Sequence, residues 1–559
     1  MLRHRSSLNL LLAIVIAVIA AVCAAVLGRP VARAQQSTPR LVVLLMVDQM
    51  RADYIEQFGS RWTGGLRRLI DRGARFVDAA YPYLNTVTCA GHATVSTGAF
   101  PSRHGMTSNY WHDRVSGRRL GCTDDAEAST ISYDKASDAH DSPRTLLLPT
   151  LSDELAAQRS TPPKVASVSL KDRTAIVLAG TRSDATVWFD DRAQSFVTSS
   201  AYAKAPVPFL VDFFKTQRID RDYGKTWSRM RPDDQYQYAD AAVGEFPPTG
   251  WTATFPHVLA GKNGTPDAQF YELWKESPYS DAYLSAIAQS AVTSLGMGKG
   301  DRIDYLAISF SALDNVGHDF GPRSHEVQDV LMRLDETLAG LFRFLDTTVG
   351  ADRYVAALTA DHGVSVIPEQ TTAEGKPAGR VRLDDFRKRI EAALAPLGPG
   401  QHVARIEYAD IYFANGVYDR LTRDAALMSA VTKAILDTPG VVKVFRAEEL
   451  AANTPTDDPD LQAARLSYSA GRSGDMMNIL APNYIHVTAT QTSATTHGTR
   501  QPYDARVPVI FMGAGIRPGT YPGAATPADV APTLASFCGI RMPKADGKVL
   551  SIARASSQQ

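Results

Sequence analysis

Three aspartates and three histidines, scattered through the chain in short motifs, make a set that could hold two metal ions. Asp48 follows LVVLLMV, and Asp314 and His318 stand four apart in LDNVGHDFGP. Asp361 and His362 are adjacent in TADHGV, and His497 lies in TTHGT. Mixed nitrogen and oxygen donors suit zinc, whereas magnesium prefers oxygen alone. Two metals ~4 Å apart can hold the attacking and leaving oxygens of an in-line displacement. Each motif also has a bland reading. A lone Asp after a strand is commonly a turn or helix cap, His318 could sit on a helix face, and His497 could be a loop residue. Those readings would have to hold independently at every motif.

A nucleophile should accompany such a centre. In NTVTCAGHATVSTG, Thr88 stands just before a run of small residues that can begin a helix. A helix N-terminus offers free N–H groups and a positive dipole end, both suited to a phosphate. Coordination to zinc would lower the hydroxyl pKa. Spacing alone leaves Thr86, Cys89 and Ser96 as rivals, and an N-cap as the alternative role for Thr88.

The elements that must position these residues read as a mostly parallel central sheet flanked by helices, an α/β fold. Leu41–Val47, Lys164–Val168, Ile303–Phe310, Tyr354–Leu358 and Val507–Met512 are short, apolar and β-branched, as buried parallel strands are. The first runs into Asp48, the second into Lys171 and Arg173, the third into Asp314 and His318, and the fourth into Asp361 and His362. Ligands of open parallel sheets bind beyond the carboxyl ends of the strands. Four strands therefore deliver metal-binding or cationic side chains to one edge. Glu326–Leu345 carries Val327, Leu331, Leu334, Leu338 and Leu341 on one helical face. The expected organisation is a catalytic core in three parts, 35–181, 301–367 and 491–550, interrupted by insertions at 182–300 and 368–490 that build a cap. A polar tail covers 551–559.

The chain has 559 residues, 44% of them apolar, enough for a large core. Lys+Arg and Asp+Glu number 59 each, so no basic excess points to a nucleic-acid partner. Arg3, His4 and Arg5 precede an apolar run from Leu8 to Leu27, and Ala32-Arg33-Ala34 offers a signal-peptidase site. Residues 1–34 are expected to be a signal peptide, with a periplasmic or secreted mature protein. The alternative is an uncleaved membrane anchor facing outside the cytoplasm. An exported protein permits a disulfide, and among Cys89, Cys122 and Cys538 a Cys89–Cys122 pair is conceivable.

VDQMR at 47–51, TVTCAGHATVSTG at 86–98, PSRHGMTSNYW at 101–111, SLKDR at 169–173, the Asp-x3-His of 314–318, ADHG at 360–363 and THG at 496–498 resemble the alkaline phosphatase superfamily. More narrowly they resemble its threonine-nucleophile, phosphate-irrepressible periplasmic alkaline phosphatases. The motifs keep the family's order from Leu41 to about Lys548. The resemblance implies an alkaline phosphatase-like fold, two Zn2+ per chain, and Thr88 as nucleophile and ligand. It implies one zinc on Asp314, His318 and His497 and the other on Asp48, Asp361 and His362. Asn109, Lys171 and Arg173 would contact the phosphoryl oxygens of small phosphate monoesters. Two cations and an amide around those oxygens favour a dianionic monoester over a diester. The nearest alternative is a nucleotide pyrophosphatase/phosphodiesterase, which would share the metal ligands and the threonine but lacks the Lys/Arg pair. A sulfatase is disfavoured because no Cys-x-Pro-x-Arg segment is present. From another class, a non-catalytic zinc-binding envelope protein would have no need of an activated nucleophile.

Overall fold

Leu41–Val47 (β1) is seven apolar residues buried on both faces, as a strand with parallel neighbours on each side must be. The computed structural model describes residues 38–552 other than 489, 491 and 492, and among these β1 lies inside a ten-stranded sheet. Its other strands are Ala74–Phe76 (β2), Thr130–Ser132 (β3), Val165–Ser169 (β4), Ala185–Asp190 (β5), Ser195–Ser199 (β6), Asp304–Phe310 (β7), Tyr354–Thr359 (β8), Val509–Gly513 (β9) and Gly519–Tyr521 (β10). The order across the sheet is β10-β2-β9-β8-β1-β7-β4-β5-β6-β3. The five strands from β8 to β5 are mutually parallel. Met46 is in register with both Ser309 and Thr359, and Ser309 with Ser169, so four strands end on one line. Asp48, Lys171, Asp314 and Asp361 all follow within a few residues of it.

Two expectations need correcting. The strand near Val507–Met512 is not part of the parallel set. β9 runs antiparallel to β8, with Val509 opposite Thr359, because His497 has already brought the chain to the site edge and β9 must lead away from it. The boundary at 181 is also misplaced. β5 and β6 extend the central sheet past it, their apolar content masked in sequence by Trp188, Phe189 and the charged turn that joins them. The remaining strands begin and end within a residue or two of expectation.

Helices cover both faces of the sheet. His325–Leu345 buries the expected apolar stripe, and Ser324 caps it by accepting a hydrogen bond from the Val327 N–H. Thr88–Thr97 (α1) is buried at all ten residues. Residues 383–480 hold a separate antiparallel sheet, formed by Val403–Glu407, Asp410–Phe413, Met476–Leu480 and Val441–Arg446 in that order, with an apolar core of its own. The expected signal segment lies outside the described residues, and among those described no helix is long and apolar enough to cross a membrane.

Cys89 and Cys122 form a disulfide, and Cys538 is a buried free thiol. The cross-link spans 33 residues, so the Cys89→Ala/Cys122→Ala variant is expected to lose about 2–4 kcal/mol of stability. A urea titration of both proteins under non-reducing conditions measures it.

Candidate active site

The edge defined by the ends of β4, β1, β7 and β8 gathers two groups of donors. Asp48, Asp361 and His362 present ligand atoms within 4.8 Å of one another, and Asp314, His318 and His497 do the same. Asp314 and His318 share a face of the helix Ala312–Phe320, four residues apart. The rings of His362 and His497 stack with centroids 3.4 Å apart, joining the two groups.

The chemistry of these donors fits cations. Each of the three imidazoles engages a main-chain carbonyl through Nδ1: Thr495 for His318, Thr86 for His497 and Gly363 for His362. With Nδ1 donating, Nε2 keeps its lone pair, the arrangement typical of metal-binding histidine. Asp48 Oδ1 and Asp361 Oδ2 are buried without a hydrogen-bond partner. They face His362 Nε2 at 3.6 Å and 3.2 Å. Each group of lone pairs thus converges on a space that a metal cation could occupy.

Without cations the charges conflict. Burial, then Asp314 and Asp361, push the Asp48 carboxyl well above its ordinary range, against Lys171 and His362. Burial would raise Asp361 too, but His362 and His92 hold it well below. Burial depresses His362, yet Asp361 and its neighbouring carboxylates carry it up to about 9. Burial with His362 and His318 drives His497 well down. Lys171 sits between the groups, its Nζ 2.5 Å from Asp48 Oδ2 and from Asp314 Oδ2. Burial disfavours its charge, but the two carboxylates more than restore it.

Thr88 is the first residue of α1, only 2% exposed, with Oγ1 3.4 Å from His362 Nε2. The other hydroxyl and thiol candidates are engaged elsewhere. Thr86 donates to the Thr499 carbonyl, Cys89 is in the disulfide, and Ser96 donates to the Ala93 carbonyl within the helix. Asn109 Oδ1 accepts from the Cys89 N–H, which leaves its amide hydrogens for another partner. Asn109, Lys171 and Arg173 together line one end of a cleft of about 1100 Å³. Arg173 stands in the first turn of the helix Asp172–Ala179, with Asp172 3.6 Å from its guanidinium.

Three residues that the motifs did not single out fix this geometry. Gln49, at φ +69°, donates through Nε2 to Asp314 Oδ1 and through its backbone N–H to Asp361 Oδ1. His92 lies one helical turn past Thr88, touches the Thr88 carbonyl through Nδ1 and reaches Ser309 Oγ through Nε2. At Gly91 a Cβ would stand 2.3 Å from the Asp361 carbonyl, so a glycine is what lets α1 reach β8. The one available sequence signal was position: Gln49 adjoins Asp48, and His92 is four residues from Thr88.

Residues 42–503 match the family described as type I phosphodiesterase / nucleotide pyrophosphatase. Alkaline phosphatase PhoV of Synechococcus elongatus is 31% identical over 92% of each chain. Alkaline phosphatase PhoK of a Sphingomonas species is 32% identical over 99% of this chain and 98% of its own. The crystal structure of alkaline phosphatase PafA superposes with a TM-score of 0.83 at 30% identity, covering 92% of this chain and 99% of that one. A PafA variant replaced at a threonine, an asparagine, a lysine and an arginine gives 0.84, and those four have the mutual spacing of Thr88, Asn109, Lys171 and Arg173. Murine ectonucleotide pyrophosphatase/phosphodiesterase 5, at 13% identity and a TM-score of 0.53, shares the fold. The chain belongs to the alkaline phosphatase superfamily, in the branch of the PafA-type alkaline phosphatases.

Gln49 holds one carboxylate of each donor group. Gln49→Leu removes the donor to Asp314 Oδ1 and is expected to weaken zinc binding roughly 10- to 100-fold and to lower the thermal midpoint of the zinc-free protein. Titration of the chelator-treated protein with zinc reads the first quantity and a thermal melt the second.

Proposed function

We propose that this protein is an exported, zinc-dependent hydrolase of phosphate monoesters that works through a covalent phosphothreonine on Thr88. The observation that carries the reading is Lys171, set between Asp48 and Asp314 and lining one cleft with Arg173 and Asn109. Two cations and an amide there suit a group bearing two negative charges, the mark of a monoester. The alkaline phosphatase relatives support the same substrate class. Export is supported by the Cys89–Cys122 disulfide, a bond that persists in oxidising compartments, together with the apolar leader.

Asp48, Asp361 and His362 would hold one zinc and Asp314, His318 and His497 the other. When bound, the two ions lower the pKa of the threonine hydroxyl and offset charge on the attacking and departing oxygens. Thr88 Oγ1 releases its proton to solvent and attacks phosphorus, the bond from phosphorus to the leaving oxygen breaks on the opposite side, and that oxygen takes up a proton from solvent. Asn109, Lys171 and Arg173 hold the three non-bridging oxygens, so stabilisation is largely positional and electrostatic. Water then attacks from the vacated side, the bond to Thr88 Oγ1 breaks, and inorganic phosphate leaves. No separate general base is needed. The insertion at 368–490 would serve as a cap, since it carries its own core and sends residues toward the site.

The competing phosphodiesterase reading uses the same metal ligands, so the test must address the cations. Wild type is expected to prefer p-nitrophenyl phosphate to bis-p-nitrophenyl phosphate. The Lys171→Ala/Arg173→Ala variant should lose about a hundredfold or more in kcat/KM on the monoester, with a much smaller change on the diester. A diester preference in wild type, or equal losses on both, would instead favour the phosphodiesterase. Elemental analysis is expected to find two zinc ions per chain. Chelation should abolish turnover and lower the melting temperature, with zinc restoring both.

A further inference from the structure

Tyr408 closes the hairpin between Val403–Glu407 and Asp410–Phe413, where Glu407 pairs with Asp410 and only Tyr408 and Ala409 form the turn. Its φ is +50°, a conformation that tight hairpins normally give to Asn or Gly. A bulky aromatic residue persists there when the surroundings over-determine it, and such outliers collect at functional sites. The ring is laid against Gly498, the residue after His497. A Cβ on Gly498 would come 2.9 Å from Tyr408 Cδ1, so the glycine makes room for the ring.

The other end of the side chain faces the site. Arg173, Asp314 and Tyr110 are close enough to act electrostatically on the hydroxyl, as is Glu407 of its own strand. Among the described residues that hydroxyl has no hydrogen-bond partner, and no ring or guanidinium stacks on the ring. Neighbouring aromatics are occupied. Tyr412 on the same hairpin donates to the Arg472 carbonyl, and the Tyr110 ring is covered by Arg119 at 3.5 Å. Arg119 is itself held by Glu407.

In-line chemistry says what Tyr408 faces. Thr88 Oγ1 stands beside His362, in one donor group, so the leaving oxygen must depart toward the other, Asp314, His318 and His497. Tyr408 flanks that second group, touching Gly498 next to His497 and lying near Asp314. We propose that Tyr408 contacts the leaving group of the ester, its ring forming a wall against which a flat aryl group lies. The residue thereby sets a preference among monoesters for aryl over small alkyl leaving groups. This rests on the phosphomonoesterase reading given above.

The test compares kcat/KM for phenyl phosphate and methyl phosphate in zinc-loaded wild type, Tyr408→Ala and Tyr408→Phe, with zinc content measured for each. The aryl-to-methyl ratio is expected to fall roughly three- to tenfold in Tyr408→Ala, the size of one aromatic contact, and to stay near wild type in Tyr408→Phe. Should the alanine chain not accumulate, Tyr408→Leu serves, with the same fall expected. An unchanged ratio in the truncated variant, whether or not both rates drop, would overturn the proposal and leave Tyr408 a packing residue. So would a Tyr408→Phe ratio as low as the truncated one, which would assign the effect to the hydroxyl. A wild type that turns over neither ester would remove the monoesterase reading and the proposal with it, a result distinct from an unmoved ratio.

Discussion

Negative charge confined to a dry pocket is the condition to which the surrounding architecture answers. Asp48, Asp314 and Asp361 lie together where the central strands end, and Asp48 and Asp361 are wholly buried. Carboxylates so placed repel one another and are poorly solvated, so they require cations, protons or donors at close range. The chain supplies one permanent counter-charge, Lys171, and a set of imidazoles with their lone pairs turned inward. The rest is left for metal. Parallel strands make the crowding possible, because they bring four distant stretches of chain to one edge with a shared register.

Much of this was legible in the sequence because the strands that build the site are short apolar runs ending in a charged or metal-binding residue. Periodicity and the residue after each run were enough to place Asp48, Lys171, Asp314 and Asp361 on one edge. What was not legible involves partners set by folding rather than by neighbours. Gln49 matters because it spans Asp314 and Asp361, hundreds of residues away, and only its place beside Asp48 marks it. β5 and β6 were hidden because Trp188, Phe189 and adjoining charges break the simple apolar pattern. The direction of β9 depends on where His497 has brought the chain, which no local propensity encodes.

The centre is assembled by several independent contacts between α1 and the ends of β7 and β8. Gly91 allows the helix to rest on the Asp361 backbone, His92 links the Thr88 carbonyl to Ser309 and lies 3.3 Å from Asp361, and Thr88 approaches His362. Thr88 and the candidate metal ligands therefore share one frame. Tyr408 approaches from a different unit, a hairpin with its own apolar core. Groups of common chemistry sit on the sheet, and the group that meets the variable part of a substrate sits on an insertion.

The disulfide adds a condition of time and place. Cys89 follows Thr88 directly, and its partner Cys122 closes a loop that carries Asn109, whose side chain accepts from the Cys89 N–H. The placing of Asn109 is therefore tied to the oxidation state of the chain. A chain in which this bond has not formed would possess every candidate metal ligand yet hold Asn109 by one fewer tether.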